Sequence, residues 1–226
     1  ALAREISGPE NAPRVPVYCR DDLSGITAEL DAHWAAGIAP LRGLVLIGGH
    51  STRMGRDKSE IEYRNGVSAA RRSVDIVAAV CDTVSLSVRP GGHVPDDVTG
   101  VPRIEDRFVD FGPAGAILTA LHDDPTAAWL TVGCDMPLLG EEDVQELVAH
   151  RDPFKIATSA AGPGYARMRE EAFSPDEEAL LPEPLCSIWE PRSQGRIFSF
   201  LQEGVTAPRW MLRNGAVKMV ELSNEW

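Results

Sequence analysis

Short apolar runs alternate with stretches of helical periodicity along most of the chain, and this alternation constrains the fold more than any other feature. Each run has the length of a buried strand, and the stretches between them repeat apolar residues at the spacing of one helix face. Such alternation favours a largely parallel sheet covered by helices on both faces, an α/β fold. The predicted strands span residues 43–47, 83–88, 128–132, 155–157 and 185–189, and the predicted helices span residues 67–80, 113–121, 141–150 and 193–201.

Two regions interrupt the alternation. Residues 1–40 begin polar and then give one strand-like run and one helix-like run, and a lone βα unit cannot bury itself. We interpret them as an N-terminal βα extension, either packed on the main domain or the remnant of an upstream domain, and we assign residues 41–226 to the main domain. Residues 162–184 are rich in glycine, proline and acidic residues, which predicts a mobile insertion or lid.

The negative net charge disfavours two classes of binding partner. The formal net charge is −12, whereas a generic phosphate binder needs positive excess, so we expect neither nucleic acid nor membrane as a partner. No apolar run approaches the length of a membrane span, and no signal peptide is recognisable. The four cysteines lie scattered, which is typical of reduced, structural thiols in a cytoplasmic protein. They are Cys19, Cys81, Cys134 and Cys186.

A glycine-rich segment follows the first predicted strand directly. From residue 44 it reads LVLIGGHSTRMGRDK and ends at Lys58. Gly48 and Gly49 permit unusual backbone angles and close approach of a ligand, so that successive backbone N–H groups could cradle phosphate oxygens. Arg53 and Lys58 add positive charge for a triphosphate or a departing pyrophosphate. The spacing is neither that of a Walker A loop nor that of a dinucleotide fingerprint, so the pattern predicts another kind of phosphate-binding loop.

The residues around this segment form a basic island in an acidic chain. Between Arg42 and Arg72 there are seven basic residues against three acidic ones. Such an island suits a compact polyanion such as a triphosphate. For Arg64, Arg71 and Arg72, a solvated helix face is an equal alternative.

Asp135 is a second candidate site residue. It leaves the strand predicted at residues 128–132 at the carboxyl end, where ligands bind in open α/β sheets. Mg²⁺ takes few hard oxygen ligands and keeps waters and substrate phosphates as the rest, so one aspartate and a triphosphate can hold it. A helix-capping role is disfavoured, because Asp135 lies several residues before the helix predicted from Glu141.

These segments resemble the molybdenum cofactor guanylyltransferases and their close nucleotidyltransferase relatives. The loop resembles the family signature L-x-G-G-x-S-x-R-M-G-x-D-K, and Cys-Asp-Met-Pro at residues 134–137 resembles the family's metal-binding segment. The resemblance covers roughly residues 41–140 and implies a Rossmann-like, three-layer α/β/α nucleotidyltransferase domain. It implies that Mg²⁺ is the cofactor and that GMP passes from GTP to molybdopterin with release of pyrophosphate. The matching loop residues are Leu46, Gly48, Gly49, Ser51, Arg53, Met54, Gly55, Asp57 and Lys58.

The same resemblance assigns roles to single residues. Residues 101–113 resemble an aspartate-then-Gly-Pro stretch that places Asp106 against the nucleotide, although a turn-forming aspartate is the alternative. Residues 83–88 resemble the family's third strand, with Ser87 near a position where family members often carry Asn. The catalytic candidates are Arg53, Lys58 and Asp135, the nucleotide-binding candidates are Leu46, Ile47, Gly48, Gly49, Ser51, Lys58, Ser87, Asp106 and Asp135, and the metal ligand is Asp135.

Other functions stay open. Ser87 and the altered segment at residues 112–116 are compatible with a cytidylyltransferase or an enzyme for another small phosphorylated acceptor. The loosely matching C-terminal half, which lacks the family's Asn-x-Asn-Thr-Pro segment, is compatible with a non-catalytic nucleotide-binding module. Residues 15–36 resemble the tail of a molybdopterin-linked GTPase, which suggests a partner GTPase domain, and molybdoenzyme maturation proteins are further candidate partners.

Overall fold

A seven-stranded sheet forms the framework of residues 39–226, as seen in a computed structural model that describes residues 27, 37–47, 62–64, 66–162 and 181–223. The chain divides into two compact units, residues 1–38 and 39–226. The prediction of an N-terminal extension falls almost wholly outside the described residues and stays a prediction. The strands are β1 (Leu41–Leu46), β2 (Glu62–Arg64), β3 (Val67–Ser68), β4 (Val84–Val88), β5 (Arg103–Glu105), β6 (Ala128–Gly133), β7 (Ala157–Gly162), β8 (Leu181–Trp189) and β9 (Val217–Glu221).

The order of the strands indicates where in the sheet a ligand-binding site is expected. Across the sheet the order is β5-β4-β1-β6-β8-β7-β9, while β2 and β3 form a separate hairpin. Strands β5, β4, β1 and β6 are parallel, β8 runs antiparallel to β6 and β7, and β9 is parallel to β7. From β1 the chain moves outward through β4 to β5 and then returns to β6 on the other side of β1. Ligands bind at such a reversal, beyond the carboxyl ends of the strands. We call the edge where β4, β1 and β6 end the carboxyl edge.

Helices cover both faces of the sheet, which confirms the predicted three-layer α/β/α fold. In β1, the side chain of Val45 joins an apolar cluster with the first and third helices, whereas those of Leu44 and Leu46 join the other three helices on the opposite face. Consecutive strand residues point to opposite faces, so a continuous apolar run is what a doubly covered strand requires. The helices are α1 (Ala69–Ala78), α2 (Pro113–Asp123), α3 (Glu141–Ala149), α4 (Ser193–Gln202) and α5 (Pro208–Arg213).

Two helix starts are fixed by side-chain caps. At α1 the Ser68 hydroxyl accepts a hydrogen bond from the Arg71 N–H (3.0 Å). At α3 the Asp143 carboxylate accepts from the Gly140 N–H (2.7 Å), and three acidic residues in the first turn complement the helix dipole. Among the described helices, none is long and apolar enough to cross a bilayer.

The structure corrects two predicted boundaries. The strand expected at residues 155–157 begins only at Ala157 and continues to Gly162, because Lys155 donates its N–H to Asp152 in a turn. Residues 181–184, assigned to the insertion, form the start of β8. Proline lacks the N–H of a ladder hydrogen bond, but the β7–β8 register shifts between Ser159 and Ala161, and prolines are tolerated at such irregularities. Residues 163–180 lie outside the described residues, so the mobile insertion stays a prediction.

Candidate functional site

The carboxyl ends of β1 and β6 lie side by side. Leu46 pairs with Gly133, and the Cys134 N–H donates to the Leu46 carbonyl (3.3 Å). Asp135 follows immediately and is exposed. A Cβ added at Gly133 would lie 3.0 Å from Asp135 Oδ1 and 3.0 Å from a Leu185 methyl carbon. Glycine at position 133 therefore leaves the space that the Asp135 carboxylate and the Leu185 side chain occupy.

The segment predicted to bind phosphate leaves β1 at this same edge. Leu46 and Ile47 are buried, and the Ile47 N–H donates to the Ser87 carbonyl across the β1–β4 junction (3.4 Å). The remaining predicted loop residues lie outside the described residues, and their roles stay predictions. They are Gly48, Gly49, Ser51, Arg53 and Lys58.

Ser87 and Asp106 form a hydrogen-bonded pair at the end of β4. The Ser87 hydroxyl donates to Asp106 Oδ1 (2.8 Å), and the Asp106 N–H donates to the Val88 carbonyl (2.9 Å). Ser87 is buried, whereas Asp106 is partly exposed next to β5. Ser87 thus orients the carboxylate of Asp106, and the more exposed Asp106 is the member of the pair that a ligand could reach.

The environment of Asp106 disfavours its charged form. Burial raises the pKa of the Asp106 carboxyl above its ordinary value, because desolvation penalises the carboxylate. The hydrogen bond from Ser87 and the positive charge of Arg89 oppose this shift without cancelling it. The charged carboxylate of Asp106 therefore destabilises the folded protein at neutral pH. Perturbed carboxylates of this kind are common at functional sites.

Replacing Asp106 by Asn is expected to stabilise the free protein and weaken its nucleotide binding. A raised pKa in the folded state favours folding at low pH, and this contribution is lost as pH rises through the folded-state pKa. Asp106→Asn should therefore raise the unfolding temperature at neutral pH, with the gain vanishing near and below the ordinary aspartate pKa of about 3.9. Loss of the charged acceptor should weaken nucleotide binding about tenfold, measured by calorimetry.

The neighbouring Glu105→Gln provides the control, because Glu105 is also acidic but exposed on β5. It should change neither the unfolding temperature nor the affinity. If Asp106→Asn lowers the unfolding temperature at neutral pH, the burial argument is wrong.

A cavity of about 230 Å³ opens beside Asp135. Its walls are largely apolar and contain two carboxylates, Asp135 and Glu183. Glu183 is 8% exposed and is held in place, because one oxygen accepts the Leu185 N–H (3.0 Å) and the other accepts from Arg209 (2.8 Å). The residues that line the cavity are Asp135, Met136, Pro137, Leu138, Leu139, Glu183 and Leu185.

The donors present fit a shared magnesium site. In the described parts of the chain, no group of three or more His, Cys, Asp or Glu side chains could enclose a metal ion. An exposed single carboxylate at the carboxyl edge instead suits an ion whose other ligands are waters and substrate phosphates, as Mg²⁺ prefers. Asp135 therefore fits Mg²⁺ held jointly with a nucleotide.

The cysteines in the described part of the chain are buried thiols. Cys81, Cys134 and Cys186 all carry reduced side chains, as predicted for structural thiols. Burial raises the pKa of Cys81 to about 12 and raises that of Cys186 as well, so the nucleophilic thiolate is disfavoured at both.

The described candidates from the sequence converge on one edge of the sheet. Leu46, Ile47, Ser87, Asp106 and Asp135 all lie at or just beyond the ends of neighbouring parallel strands. If Asp135 lay at the opposite edge of the sheet, it would be separated from the glycine-rich segment. Glu183 was not among the predicted site residues, because it is an acidic residue between two prolines in a stretch assigned to the insertion.

An open, mostly parallel sheet with a candidate phosphate loop and a candidate metal-binding carboxylate at its switch point is typical of α/β nucleotide-binding enzymes. Residues 43–213 match the MobA-like NTP transferase domain, so the chain belongs to this family of nucleotidyltransferases.

Curated relatives and solved structures agree with this family. The chain is 31% identical over 186 residues to a molybdenum cofactor biosynthesis bifunctional protein of Synechocystis sp., covering 82% of this chain and only 49% of that relative. It is 26% identical over 183 residues to a probable molybdenum cofactor guanylyltransferase of Nostoc sp., covering 80% of this chain and 81% of the relative. The chain thus spans about half the length of the first relative.

The fold is similar to that of molybdopterin-guanine dinucleotide biosynthesis protein A from Archaeoglobus fulgidus. The TM-score is 0.58 at 16% identity, and the match covers 80% of this chain and 83% of the other. At this identity the similarity concerns the fold alone.

Proposed function

We propose that this protein transfers GMP from Mg-GTP to molybdopterin and releases pyrophosphate. The observation that carries the proposal is the pairing of Leu46 with Gly133, which brings the exit of the signature segment and Asp135 to the same edge of the sheet. The names of the Synechocystis and Nostoc relatives support the cofactor pathway, and the second supports guanylyl transfer.

Each residue in the proposal has a distinct role. Backbone N–H groups of residues 48 and 49, together with Arg53 and Lys58, bind the triphosphate. Asp106 accepts hydrogen bonds from guanine N–H groups or ribose hydroxyls, supported by Ser87 (2.8 Å). Asp135 holds Mg²⁺, which neutralises charge on the phosphates when bound. The acceptor approaches through the cavity beside Asp135.

The transfer needs no protein base. A phosphate on the acceptor is already ionised near neutral pH, so one of its oxygens attacks the α-phosphorus directly. The bond from the α-phosphorus to the bridging oxygen breaks, and its electron pair leaves with pyrophosphate. Arg53 and Lys58 stabilise the charge that develops on the departing group.

Base preference is tested by a nucleotide screen on the full chain with Mg²⁺. We expect Mg-GTP to raise the unfolding temperature more than Mg-CTP, because ligand at a hundredfold excess over its dissociation constant stabilises the folded state by about 2.7 kcal/mol. Omitting Mg²⁺ should remove most of the shift. The reverse preference, CTP over GTP, would favour the cytidylyltransferase alternative raised by Ser87 and residues 112–116.

A turnover assay distinguishes the enzyme from the non-catalytic alternative. Pyrophosphate release from Mg-GTP with a molybdopterin acceptor supports the enzyme, whereas nucleotide binding without release under any acceptor supports a binding module. A GTPase domain and molybdoenzyme maturation proteins as partners, and a cytoplasmic setting, remain part of the proposal. The reduced, buried thiols of Cys81, Cys134 and Cys186 are in keeping with a cytoplasmic setting.

A further inference from the structure

Arg72 connects α1 to the loop that carries Asp135. Its guanidinium donates through Nη1 to the Met136 carbonyl (3.1 Å) and through Nη2 to the Leu139 carbonyl. These groups are 64 and 67 residues away along the chain. We call residues 135–140 the Asp135 loop. The basic residue whose sequence context allowed a solvated helix face is therefore hydrogen-bonded to the loop beside the site.

Hydrogen bonds also anchor both ends of the Asp135 loop. Just before it, the Cys134 N–H donates to the Leu46 carbonyl (3.3 Å), and at its last residue the Gly140 N–H donates to Asp143 (2.7 Å). The Leu139 side chain is 1% exposed in the apolar core. The two carbonyls that Arg72 contacts lie between these anchors, on the segment that also lines the cavity.

The helix that presents Arg72 is itself fixed. The Ser68 hydroxyl and N–H both donate to the Asp97 carboxylate, at 2.8 and 3.0 Å, and the same hydroxyl caps α1. Val74 and Val77 of α1 are buried in the cluster that contains β1 and β6. The backbone of Arg72 therefore has a defined position relative to the carboxyl edge, and its side chain can transmit that position to the loop.

We propose that Arg72 is a positioning residue that sets the Asp135 loop so that the Asp135 carboxylate and the cavity wall face the nucleotide. A planar guanidinium presents two parallel donors and reaches both carbonyls at once, which a lysine ammonium on a flexible stem does not reproduce. The structural part of this inference rests on the hydrogen bonds, and its consequence for the rate rests on the proposed function.

Hydrogen exchange on the full chain without nucleotide tests the structural part. In Arg72→Lys, the Leu139 amide, which donates to the Met136 carbonyl (3.3 Å), should exchange roughly tenfold faster because the turn opens more often. Amides of β6 and the interior of α3 should be unchanged. Arg71→Lys is the matched control, since Arg71 is the preceding residue of the same helix and pairs with Asp75. Unchanged exchange at Leu139 in Arg72→Lys would overturn the inference.

Kinetics test the catalytic part. Arg72→Lys should lower kcat roughly tenfold, raise the Mg²⁺ concentration for half-maximal rate, and leave KM for the nucleotide within about twofold, because the loop rather than the nucleotide contacts has moved. Millimolar guanidinium should partly restore the rate of Arg72→Ala. Arg71→Lys should match the wild type throughout, and equal losses in both lysine variants would overturn the role.

The two tests fail independently. A wild type that releases no pyrophosphate defeats the proposed function, while the exchange result still decides whether Arg72 holds the loop. An active wild type with normal kcat and Mg²⁺ dependence in Arg72→Lys defeats the positioning role alone.

Discussion

Replacing Asp135 by Asn is expected to lower the rate of pyrophosphate release by about 10²–10³, the usual effect of removing one electrostatic contact to the reacting phosphates. The amide keeps the size of the side chain but removes the negative charge that, under the proposed function, holds Mg²⁺ at the carboxyl edge. The residue is exposed, so the free energy of unfolding should change by no more than about 0.5 kcal/mol. Steady-state kinetics and thermal unfolding on the same preparation measure both quantities.

Asp82→Asn is the matched control for this experiment. Asp82 is exposed too, but it precedes β4 and so lies at the opposite edge of the sheet. Its replacement should leave the rate unchanged. Full activity of Asp135→Asn at limiting Mg²⁺ would remove Asp135 from the site and, with it, the link between the metal and the sheet's switch point.

Replacing Arg151 by Ala is expected to destabilise the protein by about 3–5 kcal/mol, because it leaves a buried carboxylate without its partner. Glu190 is 1% exposed, and both of its oxygens accept from Arg151, at 2.7 and 2.8 Å. Arg151 also donates to the Ala39 carbonyl (2.9 Å), which ties the entry of β1 to the end of β8. Urea denaturation, with the midpoint and slope fitted together, measures the loss.

Arg107→Ala provides the comparison, since Arg107 and Asp123 form an ion pair whose side chains are 55% and 44% exposed. Its loss should cost about 0–1 kcal/mol, as for other surface pairs. Removing both buried charges, in Arg151→Met with Glu190→Leu, should recover much of the stability lost in Arg151→Ala. If Arg151→Ala lowers the free energy of unfolding no more than Arg107→Ala does, the pair between Arg151 and Glu190 does not stabilise the fold as proposed.

The central strands could be predicted from the sequence, and the marginal ones could not. Strands β1 and β6 are buried on both faces and therefore appear as continuous apolar runs. β5 has three residues and β9 has five, most of them not fully buried, so neither carries such a run. Their strand character depends on the neighbours β4 and β7, and tertiary pairing of this kind is invisible to a local pattern.

The residues of the candidate site divide in the same way into those that a local sequence pattern reveals and those that it does not. The position of Asp135 at the carboxyl edge could be predicted because its motif directly follows the recognisable strand β6. Asp106 follows the unpredicted strand β5, so only the family motif around it made it a candidate. Arg72 could only be assigned to a basic island, since its partners are backbone carbonyls more than sixty residues away. Glu183 was assigned to an insertion because flanking prolines favour a loop, whereas the β7–β8 irregularity accommodates them in a strand.

The reversed direction of β8 has a consequence for how this domain can change during evolution. Because β8 runs against β6 and β7, β7 ends and β8 begins at the edge where β1, β4 and β6 end. The connection at residues 163–180 therefore leaves and rejoins the sheet at the carboxyl edge. Under the proposed function, substitutions and length changes there are expected to alter which acceptor is taken without disturbing the residues at the ends of β1 and β4, so the two specificities can diverge separately.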